Sequence, residues 1–208
     1  MSRLTRFVKY TEKVVRNSMK RLLVLLLMVV LGVSVSAKVL FQDTFDEETD
    51  DWKLGMTLEV YEGCLNNDTL GLSLDAELLG EEFENCVIAG TFQINEWGKN
   101  GALRILFRYN SLFESYWLSF WPTGIGIHRF TGTWESGTLL GSNDSPAFGA
   151  LGTHTFKIEL NDFTFKVFVD GKEVLKVSDS EKEFPVGGLL LRFDDVALSF
   201  DEISVDSL

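Results

Sequence analysis

The chain has 208 residues, and 31 acidic against 19 basic side chains give it a formal net charge of −12. Seven of the basic groups but only Glu12 of the acids lie in residues 1 to 37, so the remainder carries 12 basic and 30 acidic groups, a net of −18. Such a surface repels phosphate backbones and anionic headgroups, which disfavours nucleic acid and membrane surfaces and leaves neutral polymers and cations as partners.

The first element in chain order reads as a leader. Arg3, Arg6, Lys9, Lys13, Arg16, Lys20 and Arg21 precede an aliphatic run from Leu22 to Val33, a positive segment followed by an apolar one. The run is about a dozen residues, whereas a helix needs ~20 to span a bilayer, so a signal peptide is expected; an uncleaved N-terminal anchor is the alternative. Val35-Ser36-Ala37 offers the small residues a signal peptidase reads, predicting a cut before Lys38 and a secreted or periplasmic product. Met19-Lys20-Arg21 is a second candidate start. Residues 38–208 then form one domain, with no linker, repeat or low-complexity tract to divide them.

The strands follow. Cys86 to Ile94, Leu103 to Tyr109, Ser115 to Trp121 and Ile125 to Thr131 are short apolar-rich runs separated by Gly, Asn, Pro or Ser. Thr155 to Leu160 alternates polar and apolar with period two, and Phe163, Phe165, Val167 and Val169 do the same after Asn161-Asp162. Asp170-Gly171 predicts a tight hairpin turn into a return strand at Val174 to Val177. Gly188 to Phe193 and Val196 to Val205 flank an expected turn at Asp194-Asp195. Many short strands and no segment of helical period after the leader predict an all-β, two-sheet antiparallel sandwich or jelly roll.

The order of these motifs resembles the concanavalin-A-like lectin/glucanase superfamily, the laminin-G-like and family-16-glycosidase-related sandwiches. Leu40-Phe41-Gln42-Asp43-Thr44-Phe45 is similar to its first strand, Ile105 to Tyr109 with Ser115 to Leu118 to a middle pair, and Phe200 to Val205 to its closing strand. The resemblance implies adjacent first and last strands and one concave face. It also implies a structural calcium where those strands meet, at Asp43 and Asp201, with Asp46 or Asp50 in reach; the other reading of the Asp46 to Asp51 run is a plain solvated loop.

No E-x-D-x-E or E-x-D-x-x-E string occurs, the pattern by which alternate strand positions hold two carboxyls ~5 Å apart for retaining glycoside hydrolysis. His128 and His154 are the only histidines and stand 26 residues apart, so H-E-x-x-H chemistry is absent, and His154 reads as a surface residue. What the chain has is aromatic surface, and a flat ring that stacks on a pyranose while polar groups take its hydroxyls is the chemistry of polysaccharide binding. With Ile105, Phe107, Leu118 and Phe120 inward, strand parity puts Arg104, Arg108, Trp117, Ser119 and Trp121 on one opposite face. A non-catalytic glycan-binding face is expected there; the other reading buries Trp117 or Trp121 beneath a loop. A glycoside hydrolase with an unrecognised carboxylate pair and a structural envelope or adhesion module are the alternative functions. Trp97 and Trp134 are weaker candidates. Cys64 and Cys86, an even pair in an exported chain, are a candidate disulfide, the alternative being two free thiols.

Overall fold

The structure is a computed structural model that describes residues 37–47 and 50–208. The expected leader, both candidate starts and the cut-site residues up to Ser36 lie outside the described residues, as do Glu48 and Thr49 of the acidic loop.

Among the described residues the regular elements are β1 (Val39–Asp43), β2 (Trp52–Leu54), β3 (Glu59–Tyr61), β4 (Cys64–Asn67), β5 (Ser73–Leu78), β6 (Cys86–Ser111), β7 (Glu114–Trp121), β8 (Gly124–Thr131), β9 (Thr138–Asn143), β10 (Gly152–Asn161), β11 (Thr164–Val169), β12 (Lys172–Ser178) and β13 (Gly188–Ser207). Two 3₁₀ turns, Trp134–Ser136 and Pro146–Gly149, interrupt them. All strand pairings among the described residues are antiparallel, and the described chain is all-β.

Two long strands join the layers. β6 and β13 lie side by side from Cys86↔Ser207 to Gly188↔Tyr109. In their first stretch, residues 86–97 and 196–207, they belong to the layer β12-β11-β10-β6-β13, completed by β4, β3 and β1. In their second, residues 102–111 and 188–194, they belong to the layer β9-β8-β7-β6-β13-β5-β2.

The passage between layers is where the expected Asp194-Asp195 turn falls. It is not a hairpin turn: β13 runs through it, with a register shift between Asp194 and Val196 and a left-handed φ of 47° at Asp195. The Asp195 carboxylate ties the corner by accepting the N–H groups of Gly71 at 2.7 Å and Asn100 at 3.0 Å. A single extra residue at a bulge re-aims a strand without ending it, which is why polar residues stand there without reversing the chain. Asp170-Gly171 does form the expected hairpin, with φ of 49° and 75° at its two central residues.

The core lies between the layers. Ile105, Phe107, Leu118, Phe120, Ile125 and Ile127 face Ile88, Phe92, Ile94, Phe156, Ile158, Phe165 and Val167, all buried. The period-two alternation of these strands is thus spent on one shared interior, the hydrophobic term that holds a sandwich together.

Cys64 and Cys86 are free. Cys64 donates its thiol to Asp201 at 3.3 Å, while Cys86 sits opposite Ser207. Six residues of β13 separate those partners, roughly 20 Å at ~3.3 Å per residue, whereas a disulfide needs Cα atoms about 4.4–6.8 Å apart. The expected bond is therefore excluded by strand register.

Candidate functional site

Register assembles the outward face of the second layer. One row crosses five strands as Asp75 (β5), Arg192 (β13), Arg104 (β6), Ser119 (β7) and Gly126 (β8). The row beside it reads Glu77, Leu190, Leu106, Trp117, His128 and Leu139. Trp121 follows on β7, opposite Gly124. Arg104, Trp117, Ser119 and Trp121 thus share a face, as parity predicts.

Arg108 does not join them. Its φ of 47° breaks the alternation, and β6 slips register against β7 between Phe107 and Ser111. The side chain turns inward and is buried, where the guanidinium donates to the carbonyls of Phe184 (3.1 Å), Glu84 (3.2 Å) and Asp162 (2.5 Å). Its charge lies 4.9 Å from the Phe163 ring centroid and 5.7 Å from that of Phe165. Arg108 is a strut at one end of the sandwich, and its place in the expected binding face is withdrawn.

Trp117 is on the right face but covered. It is 2% exposed, packed in a satellite cluster with Leu106, Phe130 and Leu190 under Leu112 and Phe113 of the β6–β7 turn. Its indole N–H donates to Ser115 Oγ at 2.8 Å and to the Leu112 carbonyl at 3.1 Å. The covered ring cannot serve as a stacking platform; it supports the rings packed on it. Phe130 lies 4.2 Å from it, centroid to centroid, and Trp134 stacks on Phe130 at 5.5 Å with 26° between planes.

Trp134, the weaker candidate by sequence, is 57% exposed. Its 3₁₀ turn is held by Ser136 Oγ, which accepts from the Thr131 and Thr133 amides. Trp121, half-buried, reaches over β8, where a Cβ at Gly126 would stand 2.9 Å from its Cη2; any larger residue there would lift the indole. The two rings border a cleft of about 600 Å³ whose other lining includes Lys99, Asn100, Arg104, Ser119 and His128.

The polar floor is organised by carboxylates. Asp194 pairs with Arg104 and accepts Arg192 Nε at 3.0 Å, while Asp75 takes Arg192 Nη1 on both oxygens at 2.9 and 3.0 Å. Burial, with Arg192 beside it, lowers the Arg104 guanidinium to about 10, still cationic at neutral pH. Burial and then the Arg104 charge hold the His128 imidazole below its ordinary value, so it faces the cleft as a neutral ring able to donate and accept. The acids on this face, Asp75 and Asp194, are thus engaged by arginine, and Glu77 lies 3.7 Å from Lys53.

His154 departs from its expected surface place. It is buried, with Nδ1 3.1 Å from Asp170 and Nε2 2.8 Å from the Ala150 carbonyl.

The first and last strands meet as the resemblance implies, with Asp43 opposite Ile203. Asp43 accepts the Phe45 N–H at 2.7 Å and the Trp52 indole at 2.9 Å, and Asp201 accepts the Cys64 thiol. Among the described residues no three His, Cys, Asp or Glu side chains gather as a metal-binding group.

No protein-family model matches the sequence, and no curated protein does. Solved structures match in fold. A carbohydrate binding module, CBM66 from Bacillus subtilis, superimposes with a TM-score of 0.64 at 17% identity, over 76% of this chain and 96% of the other. An endo-β-1,3(4)-glucanase of family GH16 gives 0.63 at 11% identity over 85% and 97%. The laminarinase catalytic domain from Thermotoga maritima gives 0.58 at 14% identity over 83% and 99%. The likeness is one of fold: like these, the described chain is an antiparallel β-sandwich.

Proposed function

We propose that the chain is an exported, non-catalytic carbohydrate-binding domain that takes a polysaccharide in the cleft between Trp121 and Trp134. The observation that carries this reading is the pairing of two accessible indoles, each backed by protein, with a floor of hydrogen-bonding groups in Arg104, Ser119 and His128. Rings held from behind present one face at little entropic cost, and donors at the floor take hydroxyls edge-on. The similarity to a carbohydrate binding module and to glucanases supports the ligand class. A glycan array probed with the protein, with and without calcium, tests it. At least one polysaccharide should be retained by the wild type and lost on Trp121→Ala, and retention that survives both Trp121→Ala and Trp134→Ala would place the site elsewhere.

A further inference from the structure

We infer that the polysaccharide this cleft takes is an acidic one, carrying carboxylate or sulfate groups on a pyranose chain. The inference rests on the cleft being the carbohydrate site, and its basis is charge placement. Residues 38–208 carry 30 acids against 12 bases, yet the titratable groups lining the cleft are Lys99, Arg104 and His128, with no carboxylate among them. Another depression carries acids as a chain of this composition would suggest, Glu77, Glu81 and Glu82 with no base among its lining, while a third mixes Glu159 and Asp162 with Lys166 and Lys176.

One cation of the cleft also lacks a carboxylate partner. Lys99 is exposed and makes no side-chain ion pair among the described residues. Arg104 spends Nη1 on Asp194 and lies 5.5 Å from the Trp117 ring centroid, while Arg192 holds both Asp194 and Asp75, so the two arginines are matched by two carboxylates; Nε and Nη2 of Arg104 make no hydrogen bond to protein among the described residues. A planar fork with donors to spare suits a bidentate oxyanion. Lys99 adds a movable point charge at the rim, where the Asp195 carboxylate fixes the adjacent Asn100 amide at 3.0 Å. The indoles of Trp121 and Trp134 then take the ring faces of the same chain. Nucleic acid also offers anions and stacking rings, but a duplex carries one charge per ~1.7 Å of axis, denser than one charge per sugar residue, and the net charge of −18 over residues 38–208 opposes the denser polyanion more.

The test uses the intact protein and matched polymers that differ in charge alone. One arm compares polygalacturonate with its methyl-esterified form, the other a sulfated galactan with its desulfated form. The acidic member of at least one arm should bind tenfold or more tighter than its neutral partner, and that preference should shrink between 50 and 500 mM salt as screening sets in, concentrations chosen to bracket roughly a Debye length of 10 Å. Lys99→Gln should weaken the acidic polymer by about two- to fivefold, the scale of an exposed ion contact, and leave the neutral one unchanged. Arg104→Gln should weaken it by ~10-fold or more. A neutral polymer bound as well as its acidic partner, through Trp121 and Trp134, would overturn the acidic class and leave the cleft standing. Failure of every polymer in both arms, with glycans retained on an array independently of Trp121 and Trp134, would overturn the cleft itself and the inference with it.

Discussion

Replacing Trp117 and Trp134 separately by alanine separates support from contact. Trp117 is 2% exposed and packs on Leu106, Phe130 and Leu190, so its removal deletes a large ring from a filled cluster at a cost of ~3–5 kcal/mol. A domain of this size loses about 2–4 °C of Tm per kcal/mol, giving a fall of ~6–20 °C. Truncation also strips the indole donor from Ser115 and the Leu112 carbonyl, which favours the upper half of that range. Trp134 is 57% exposed and rests on Phe130; losing one stacked pair costs ~0.5–1.5 kcal/mol, a fall of no more than about 6 °C. Binding should show the opposite order. A stacking anchor is worth ~2 kcal/mol or more, so Trp134→Ala should lose roughly 30-fold in affinity, while Trp117→Ala, measured well below its own melting point, should retain most of it. Thermal unfolding and titration calorimetry on a retained glycan read both quantities. A Trp117→Ala protein that melts within 2 °C of wild type yet binds nothing would refute the assignment of that ring as a support.

Other outcomes follow from named contacts. Arg108→Lys keeps the charge but not the fork that reaches three carbonyls, so it should destabilise by ~2–4 kcal/mol and leave glycan affinity unchanged; a selective loss of affinity would return Arg108 to the site. Burial first, aided by Asp201, raises the Cys64 thiol to about 11, and burial raises Cys86 to about 12, so both should resist thiol reagents at neutral pH until the chain unfolds, and reductant should not change Tm. For Asp179, burial pushes the pKa up, but the Tyr116 hydroxyl, the Glu181 amide and Arg129 outweigh it and leave it depressed; its stabilisation is full above the unfolded value of ~3.9 and is lost as pH falls through the folded value. Wild type should therefore lose more stability than Asp179→Asn between pH 5 and the acid limit of folding, and parallel pH curves would remove the effect. Calcium held at Asp43 and Asp201 would bind the folded chain alone and raise Tm by mass action; coincident melts in millimolar calcium and in chelator would remove that proposal.

What the sequence yields depends on how strictly each segment obeys its period. Thr155 to Leu160 and Thr164 to Val169 alternate cleanly because one side meets the shared interior, and the structure places them as strands; Ser115 to Trp121 is legible instead as an apolar-rich run, buried on both sides of its strand. Cys64–Asn67 hides its strand because Asn66 and Asn67 are buried polar residues that use their amides on the carbonyls of Tyr61, Cys64 and Val196. Thr138–Asn143 is an edge strand with no residue fully buried, so its composition carries no alternation. Parity put Arg104 and Trp121 on the cleft and failed at Arg108, since one left-handed residue inverts everything after it, and no residue type in Phe107-Arg108-Tyr109 announces a positive φ. Burial of Trp117 beneath a loop is one of the two readings the sequence leaves open; what decides it is Phe113 and Trp134, which come from two different turns and meet only in space.

The proposed binding face and the core are not independent parts of this chain. Arg104 and Arg192 stand on β6 and β13, the two strands that also carry Ile105, Phe107, Leu191 and Phe193 into the interior. Successive residues of one strand therefore set both the packing and the polar floor, and the floor inherits the rigidity of the sandwich rather than the mobility of a loop. The rims are different. Trp134 rests on a three-residue 3₁₀ turn closed by Ser136, and Lys99 and Asn100 sit on the corner tied by Asp195. Substitutions in β6 or β13 should therefore disturb stability and binding together, whereas the rim residues can change ligand preference at little cost to the fold. The proposed reading accordingly assigns selectivity among glycans to Lys99, Asn100 and Trp134, the part of the cleft least constrained by packing and least visible in strand periodicity.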